Sequence, residues 1–566
     1  MKRCKAPRKI SCAILGLVVV INGAAFADED SQTVEVRVQA VEARAVGRFD
    51  ILQIKAAQER LVSLGFDVSR CGHNPAEGVF RIEIDSADDE RLLNNNGFDV
   101  SEFDDAGARG ALVESSYFDP GEILTMLNQT ASDHPGITHV FTIGTTIEGR
   151  PIRAIEISNN PGLPEDEPAI QFNAQHHARE VATSHIAMDL INRLTDQYGV
   201  NSEITNWVDN YKTVCVPMVN PDGVQYVFTS DDFWRKNRRS NTGCGTGSGM
   251  GVDLNRNYPY LWGPGCGSSN SCFSSIYRGP SSNSELETLA MMNLQDQYRF
   301  TIATSYHSHG RFIDYPYACS SGAPSGQMPE HGIIHEMMVA MAGAISAVDG
   351  VTYDPYTPVP FGGVNGDDTS WYYAFEGVYP FIVEVGNSFA PSFSQVPGII
   401  NRNRAGWEYL YDRLGQARMD LRVADHLAGL PLEAKVEMLQ QDDTDILFDT
   451  GELDRFSEPT FGRSRWVTEA SHTYTMRISK SGYQTRTIEV PVVNSPVDVP
   501  VLLLPDGVTL GDEKQDGDVD LADYAKFQEC FDETPIQTEC RIFDMDGDEA
   551  VNLSDIDDWT AALSGP

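Results

Sequence analysis

The chain has 566 residues, of which 41% are hydrophobic and 22% charged, so several buried cores can form and wholesale disorder is excluded. Its 82 acidic against 42 basic residues give a formal charge of -40. That surface repels nucleic acid and anionic membranes and welcomes divalent cations.

Residues 1–27 carry five basic and no acidic groups, then an apolar run that ends in Ala25-Phe26-Ala27. This order reads as a cleaved signal peptide rather than a lasting membrane anchor. The expected product is secreted, whether extracellular, periplasmic or held at a cell surface. Export permits disulfides. Cys530 and Cys540 are close enough in sequence to bridge a surface excursion. Cys244, Cys266 and Cys272 cluster around a Gly-rich loop, so one of the three pairs elsewhere or stays free.

Residues 28–112 read as a small α+β unit. VEVRVQAV and VFRIEIDS alternate as strands, while IKAAQERLVSLG and ERLLNNNG have helical spacing and a stop. The unit holds no cluster of metal-binding or catalytic side chains.

Residues 115–415 alternate strand-like runs (HVFTIG, IRAIEIS, AIQFNA, KTVCVPMV, IATSYH, PFIVEV) with helical runs such as AMDLINRLTDQYG and HEMMVAMAGAISAV. The rhythm predicts an α/β domain with a mixed, mostly buried sheet flanked by helices. Within it, NAQHHARE follows a strand and opens a helical run. His177 and Glu180, three apart, can face one ion there, with His176 as an adjacent rival. A catalytic zinc site needs a further ligand from elsewhere, and SYHSHG offers His307 or His309. Glu384, ending the apolar run PFIVEV, is the candidate proton carrier. Arg235 in FWRKNRR, and Asn255 with Arg256 after Asp253 in GVDLNRN, are scarce positive or donor groups suited to a carboxylate or an oxyanion.

Residues 420–503 turn to short strands and tight turns, as in a small β-sandwich. In 509–566, Asp544, Asp546, Asp548, Asn552 and Asp555 fall at positions 1, 3, 5, 9 and 12 of a loop. Asp512, Asp516, Asp518, Asp520 and Asp523 fall at 1, 5, 7, 9 and 12 of another, with Lys514 at 3. That oxygen spacing suits one or two Ca2+ ions, although Asp rather than Glu stands at position 12.

The ordered set HHARE, VNPDGVQYVF, FWRKNRR, GVDLNRN, YRGPSSNSE, SYHSHG and VEVGN resembles zinc carboxypeptidases of the carboxypeptidase A/B type, family M14. The resemblance implies one catalytic Zn2+ on His177, Glu180 and His307, with Asp253 orienting a bound histidine. It implies Arg235 at the scissile carbonyl, Glu384 as general base and acid, and Asn255 and Arg256 on the substrate's terminal carboxylate. It places Arg179 in the substrate site and pairs Cys244 with Cys272. It also implies that 28–112 is an activation propeptide, and Arg109, a basic residue between two polar runs in DDAGARGALVES, is the expected processing point. The sandwich resembles a transthyretin-like domain, and the tail resembles the paired calcium repeats of dockerin-type modules, implying a cohesin-like or cell-surface partner.

Three departures bear on the substrate pocket. Counting back from Trp371, the family's closing tyrosine falls on Gly362, with Phe361 and Tyr356 nearby; Ser370 stands where the family has Asp; and His309 replaces a tyrosine. Thr369 falls at the pocket floor and is neutral, while Asp367 and Asp368 adjoin it, so the expected side-chain preference is broad or mixed. The expected activity is hydrolysis of the C-terminal peptide bond of peptides or proteins. The alternatives are a zinc amidohydrolase of the same fold acting on acyl amino acids or cell-wall peptides and, more distantly, a non-catalytic calcium-dependent binding protein.

Overall fold

The computed structural model of the chain describes residues 113–563 apart from 246, 265–266, 318–329, 356–363, 447–454 and 533–534. Before them it describes 32–38, 60–61, 64, 68–74, 79–84, 87–96 and 98–102. The signal segment, Arg109, Cys266, Tyr356, Phe361 and Gly362 therefore lie outside the described residues. The chain divides into two units, Met1–Tyr411 and Asp412–Pro566.

The first unit begins with strands β1 (Gln32–Val38), β2 (Val68–Asn74), β3 (Val79–Ile84) and β4 (Phe98–Glu102) and a helix at Ala87–Asn95. They form an antiparallel sheet in the order β2-β3-β1-β4.

The larger sheet uses β5 (Thr138–Thr145), β6 (Pro151–Ile157), β7 (Ala169–Ala174), β8 (Lys212–Val216), β9 (Ile302–His307), β10 (Phe312–Asp314), β11 (Asp354–Pro355) and β12 (Tyr379–Glu384). Its order is β11-β10-β12-β9-β7-β8-β6-β5. The central pairs β12-β9, β9-β7 and β7-β8 are parallel, whereas β8-β6, β6-β5 and β12-β10 are antiparallel. Every residue of β7, β8 and β9 is buried. This is why AIQFNA, KTVCV and IATSYH do not alternate cleanly: helices cover a parallel strand on both faces. One such helix, Thr183–Gln197, buries Ile186, Leu190 and Leu194 at four-residue spacing. The mixed α/β architecture read from the sequence is the one found.

The second unit contains β13 (Arg418–Asp425), β14 (Lys435–Gln441), β15 (Thr444–Asp445), β16 (Arg455–Phe456), β17 (Arg463–Val467), β18 (Thr473–Ser479), β19 (Arg486–Pro491) and β20 (Pro496–Leu503). They make two sheets, β17-β13-β20 and β15-β14-β18-β19, with β16 paired to β14. Met419 and Leu421 from one sheet share a core with Met438, Met476 and Ile478 from the other. A sheet buried on one face alternates, as the burial along β14 and β18 does.

The tail packs on this sandwich. Leu427 joins the tail core of Phe527, Phe543 and Trp559, and His426 Nε2 lies 2.9 Å from the Arg541 carbonyl. A Cys530–Cys540 disulfide closes the segment between the two acidic loops. The ninth and twelfth positions of each loop also start the helix that follows. Asp520 and Asp523 form a capping box on Leu521–Cys530, and Asn552 and Asp555 form one on Leu553–Ala562. The first position of each loop faces inward: Asp512 accepts from Gly517 N at 3.0 Å and Asp544 from Gly547 N at 2.9 Å.

Burial and the neighbouring Asp555 carboxylate push Asp544 up from 3.8 to about 6. An acid that ionises later when folded favours the fold at low pH, and that contribution is lost as pH rises from 3.8 toward about 6. In calcium-free buffer, the unfolding midpoint of the second unit is therefore expected to fall over this window. Asp544→Asn should flatten the profile; an equally steep profile in the variant would contradict this account.

Candidate active site

The chain leaves β7 at Ala174, and Gln175 takes a positive φ of 55°. His177 and Glu180 follow in the turn before the helix at Thr183, not in its first turn as the sequence suggested. The turn is hung on its neighbours. Ala178 N donates to the Arg235 carbonyl at 3.0 Å, and Asn220 Nδ2 donates to the carbonyls of His176 (3.2 Å) and Lys236 (3.1 Å). Asn220 also caps the helix Pro221–Thr229 by accepting from Gly223 N. A Cβ on Gly223 would lie 2.6 Å from the Lys236 carbonyl oxygen, so VNPDG needs its glycine to let these segments meet.

β9 delivers His307 from the opposite side. His307 Nδ1 lies 3.0 Å from His177 Nδ1 and 3.1 Å from Glu180 Oε2, while His177 Nδ1 lies 2.8 Å from Glu180 Oε1. All three side chains are buried. Two imidazole nitrogens cannot face each other so closely with bare lone pairs unless a cation lies between them. Two imidazoles and one carboxylate at this separation are a donor set that fits zinc.

The outer partners fix which nitrogens face inward. His177 Nε2 lies 3.1 Å from Asp253 Oδ1. Asp253 Oδ2 accepts from Arg235 Nε (3.0 Å) and Nη2 (2.9 Å). Burial alone would raise the Asp253 pKa, but Arg235 and Arg256 outweigh it and hold the carboxyl well below its usual range. The ionised carboxylate only accepts, so His177 Nε2 carries a hydrogen, and Nδ1, which shares a proton with Glu180, would offer its lone pair to a cation that displaces that proton. Burial likewise works against the Glu180 charge, yet His177 and His307 hold its pKa well below normal. Ser308 N also donates to Glu180, at 3.0 Å.

His176, the sequence rival to His177, turns away. Its Nε2 meets Tyr258 Oη at 3.0 Å, and burial together with His307 and His177 keeps its pKa well below the ordinary value, so the ring is neutral. Its Nδ1 is 3.4 Å from Ser305 Oγ, which meets His307 Nε2 at 3.1 Å and donates to Asn173 Oδ1 at 2.8 Å. Asp368 Oδ2 lies 3.7 Å from His176 Nε2. Sequence reasoning did not single out Ser305, Asn173 or Tyr258. Ser305 was accessible, because residues two apart on a strand share a face.

The remaining predicted residues surround this centre. Glu384 is half-buried at the end of β12 and in register with His307. Asn255 N donates to Asp253 Oδ1 at 3.0 Å, and Asn255 Oδ1 accepts from Asp368 N at 2.8 Å. Arg256 is buried, with Nε on the Gly267 carbonyl (2.5 Å) and Nη1 4.0 Å from Asp253. The guanidinium of Arg179 lies 3.8 Å over the Phe389 ring. His309 packs on the same ring at 4.4 Å between centroids. Asp367 caps the helix Asp368–Glu376, accepting from Ser370 N and Thr369 Oγ1. A Cys244–Cys272 disulfide ties down the loop before GVDLNRN. Asn257 holds the YRGPSSNSE segment through the Arg278 and Ser281 carbonyls.

The zinc carboxypeptidase family model matches residues 123–406, half of the chain, and the chain belongs to that family. It is 36% identical over 239 residues to metallocarboxypeptidase A of Arthroderma otae, covering 40% of this chain and 53% of that protein. It is 31% identical over 234 residues to carboxypeptidase B of Helicoverpa zea, covering 41% and 52%. The chain thus spans about half the length of these curated relatives. Among solved structures, its fold is similar to that of carboxypeptidase A from Helicoverpa armigera (TM-score 0.53, 22% identity, 68% of this chain and 96% of that one). It is also similar to thrombin activatable fibrinolysis inhibitor (TM-score 0.53, 18% identity, 68% and 98%).

Asp253→Ala would strip His177 Nε2 and Arg235 of their common partner. The expected result is a zinc affinity lower by about 10–100-fold and a fold destabilised by about 3–5 kcal/mol. Competition with a chromophoric chelator and thermal unfolding measure the two effects separately.

Proposed function

We propose that this chain is a secreted zinc metallocarboxypeptidase that hydrolyses the last peptide bond of peptides or proteins. The observation that carries this reading is the convergence of His177 Nδ1, Glu180 and His307 Nδ1 within hydrogen-bond distance, beside Asp253 and Arg235. His177, Glu180 and His307 would hold Zn2+, which supplies the Lewis acidity that makes water nucleophilic near neutral pH and polarises the scissile carbonyl. Arg256 and Asn255 hold the substrate's terminal carboxylate, one by charge and one by an amide donor. Glu384, level with His307 at the sheet end, takes the proton of the attacking water and returns it to the leaving amine. Arg235, held by Asp253, donates to the oxygen that gains charge. Arg179 lines the approach for residues further from the substrate's end.

The preference among terminal side chains is broad. Thr369 brings no charge to the pocket floor, Asp367 is engaged in capping its helix, and Asp368 points at His176. In this reading residues 1–27 are the signal, 28–112 the activation propeptide cut near Arg109, and 115–415 the catalytic domain. Residues 420–503 are then a transthyretin-like sandwich, and 509–566 a dockerin-like tail that takes calcium and serves a cohesin-like or cell-surface partner. Asp544, Asp546 and Asp548 offer oxygens within 4.8 Å of one another, which supports the second tail loop as the stronger calcium site.

The test is release of C-terminal amino acids by the secreted protein, with and without limited proteolysis and with and without a zinc chelator. Chelator-sensitive release that rises after proteolysis is expected. Zinc retained without release would overturn the substrate assignment. Glu384→Gln should lower kcat by about 10²–10⁴, with zinc content unchanged. Hippuryl-Phe and hippuryl-Arg should be cleaved with kcat/KM values within about 100-fold, a difference under about 2.7 kcal/mol.

A further inference from the structure

A second group of metal-binding side chains lies beyond the end of β10. His331 and His335 are four residues apart at the start of the helix His331–Ala347, so their rings share one face. The rings are stacked, with centroids 5.5 Å apart and planes 10° from parallel. Both are half-buried. Tyr315, from the end of β10, reaches up to them. Its Oη lies 2.8 Å from His331 Nε2 and 3.5 Å from His335 Nδ1.

These separations match a shared ion. Ligands bonded at about 2.0–2.1 Å in a tetrahedral shell stand roughly 3.3 Å from each other, and closer in a tetragonal one. Burial, then His335, lower the His331 pKa, so that ring is neutral and has a lone pair to give. Burial, then Asp314, push the Tyr315 hydroxyl up to about 12, so a bound ion has to displace a firmly held proton, and the site suits an ion that acidifies its ligands strongly. This group is distinct from the catalytic one. Phe312 is the β10 residue opposite Glu384, and β10 runs antiparallel to β12. Tyr315 therefore lies roughly 10 Å further along the strand, away from the active end.

We propose that Tyr315, His331 and His335 form a second transition-metal site, taking a late first-row divalent ion such as copper or zinc through one phenolate oxygen and two imidazole nitrogens. Two ligands come from one helix turn and one from a strand, so the bound ion clips β10 to the helix. Water or an exogenous ligand completes the shell. Binding to the folded chain alone raises its stability by mass action.

The test uses the metal-free full-length chain, with calcium in excess to occupy carboxylate loops, titrated with Cu2+. Calorimetry and visible absorption follow uptake. The wild-type chain should take one equivalent more than His331→Gln/His335→Gln, accompanied by a phenolate-to-copper charge-transfer band. His177→Ala should keep that band while losing the catalytic equivalent, so failure here and failure of the carboxypeptidase reading are told apart. Tyr315→Phe should lose the band and weaken uptake by about tenfold or more. The thermal midpoint should rise with the extra equivalent in wild type and stay fixed in the double variant. Equal uptake by wild type and the double variant, or a band that survives Tyr315→Phe, would overturn the proposal.

Discussion

Two carboxylates, Glu180 and Asp253, are withdrawn from water within one small volume, and the fold is arranged around neutralising them. An isolated buried carboxylate would take up a proton instead of remaining charged. Here Arg235 and Arg256 hold Asp253 ionised, and the imidazoles of His177 and His307 do the same for Glu180. The arrangement leaves the Nδ1 atoms of both histidines turned toward each other, which a cation resolves. The motifs that look separate in sequence are the parts of this one balance. HHARE brings a carboxylate and an imidazole, FWRKNRR a guanidinium, GVDLNRN the second carboxylate with its own arginine, and SYHSHG the second imidazole.

Precision in such a site comes from the sheet, not from the loops that carry the residues. β7, β9 and β12 are parallel neighbours, so their ends lie together and hold the NAQHHARE turn, His307 and Glu384 in register. The loops are then pinned by asparagines that work as backbone surrogates. Asn220 joins the His176 and Lys236 carbonyls, Asn257 joins those of Arg278 and Ser281, and Asn237 accepts from Val252 N. Each satisfies main-chain groups that a buried loop would otherwise leave unpaired. A family signature rich in Asn and Gly is thus a record of loop carpentry as much as of chemistry.

This division explains what could be read from the sequence. The α/β rhythm was legible because buried parallel strands are short apolar runs and their covering helices are longer and periodic. The ligand candidates were legible because His and Glu at close spacing beside a strand end have few other uses. The choice between His176 and His177 was not, since adjacent residues differ only in the direction of their side chains. That direction is set by Gln175's left-handed backbone and by the hydrogen bond from Ala178 to Arg235. Asp368 was read as a pocket charge because it adjoins the counted pocket position. Its actual neighbours, Asn255 and His176, are 113 and 192 residues away in the chain, and no local pattern reports such a meeting.

The tail applies the same economy on a smaller scale. The loop positions whose spacing suits calcium are also the capping positions of the helices that leave the loops, so each of these side chains already has a task at a helix start. The Asp at position 12 takes part in the cap. In both helices the residue there is the third of the first turn, where its carboxylate reaches back to the capping residue's own N–H. In a chain with a net charge of -40, every such cluster is repulsive in isolation. Backbone N–H groups directed at Asp512, Asp544 and Asp555 lessen that repulsion without closing the loop to solvent. A cation would add to a charge balance in which these backbone N–H groups already take part.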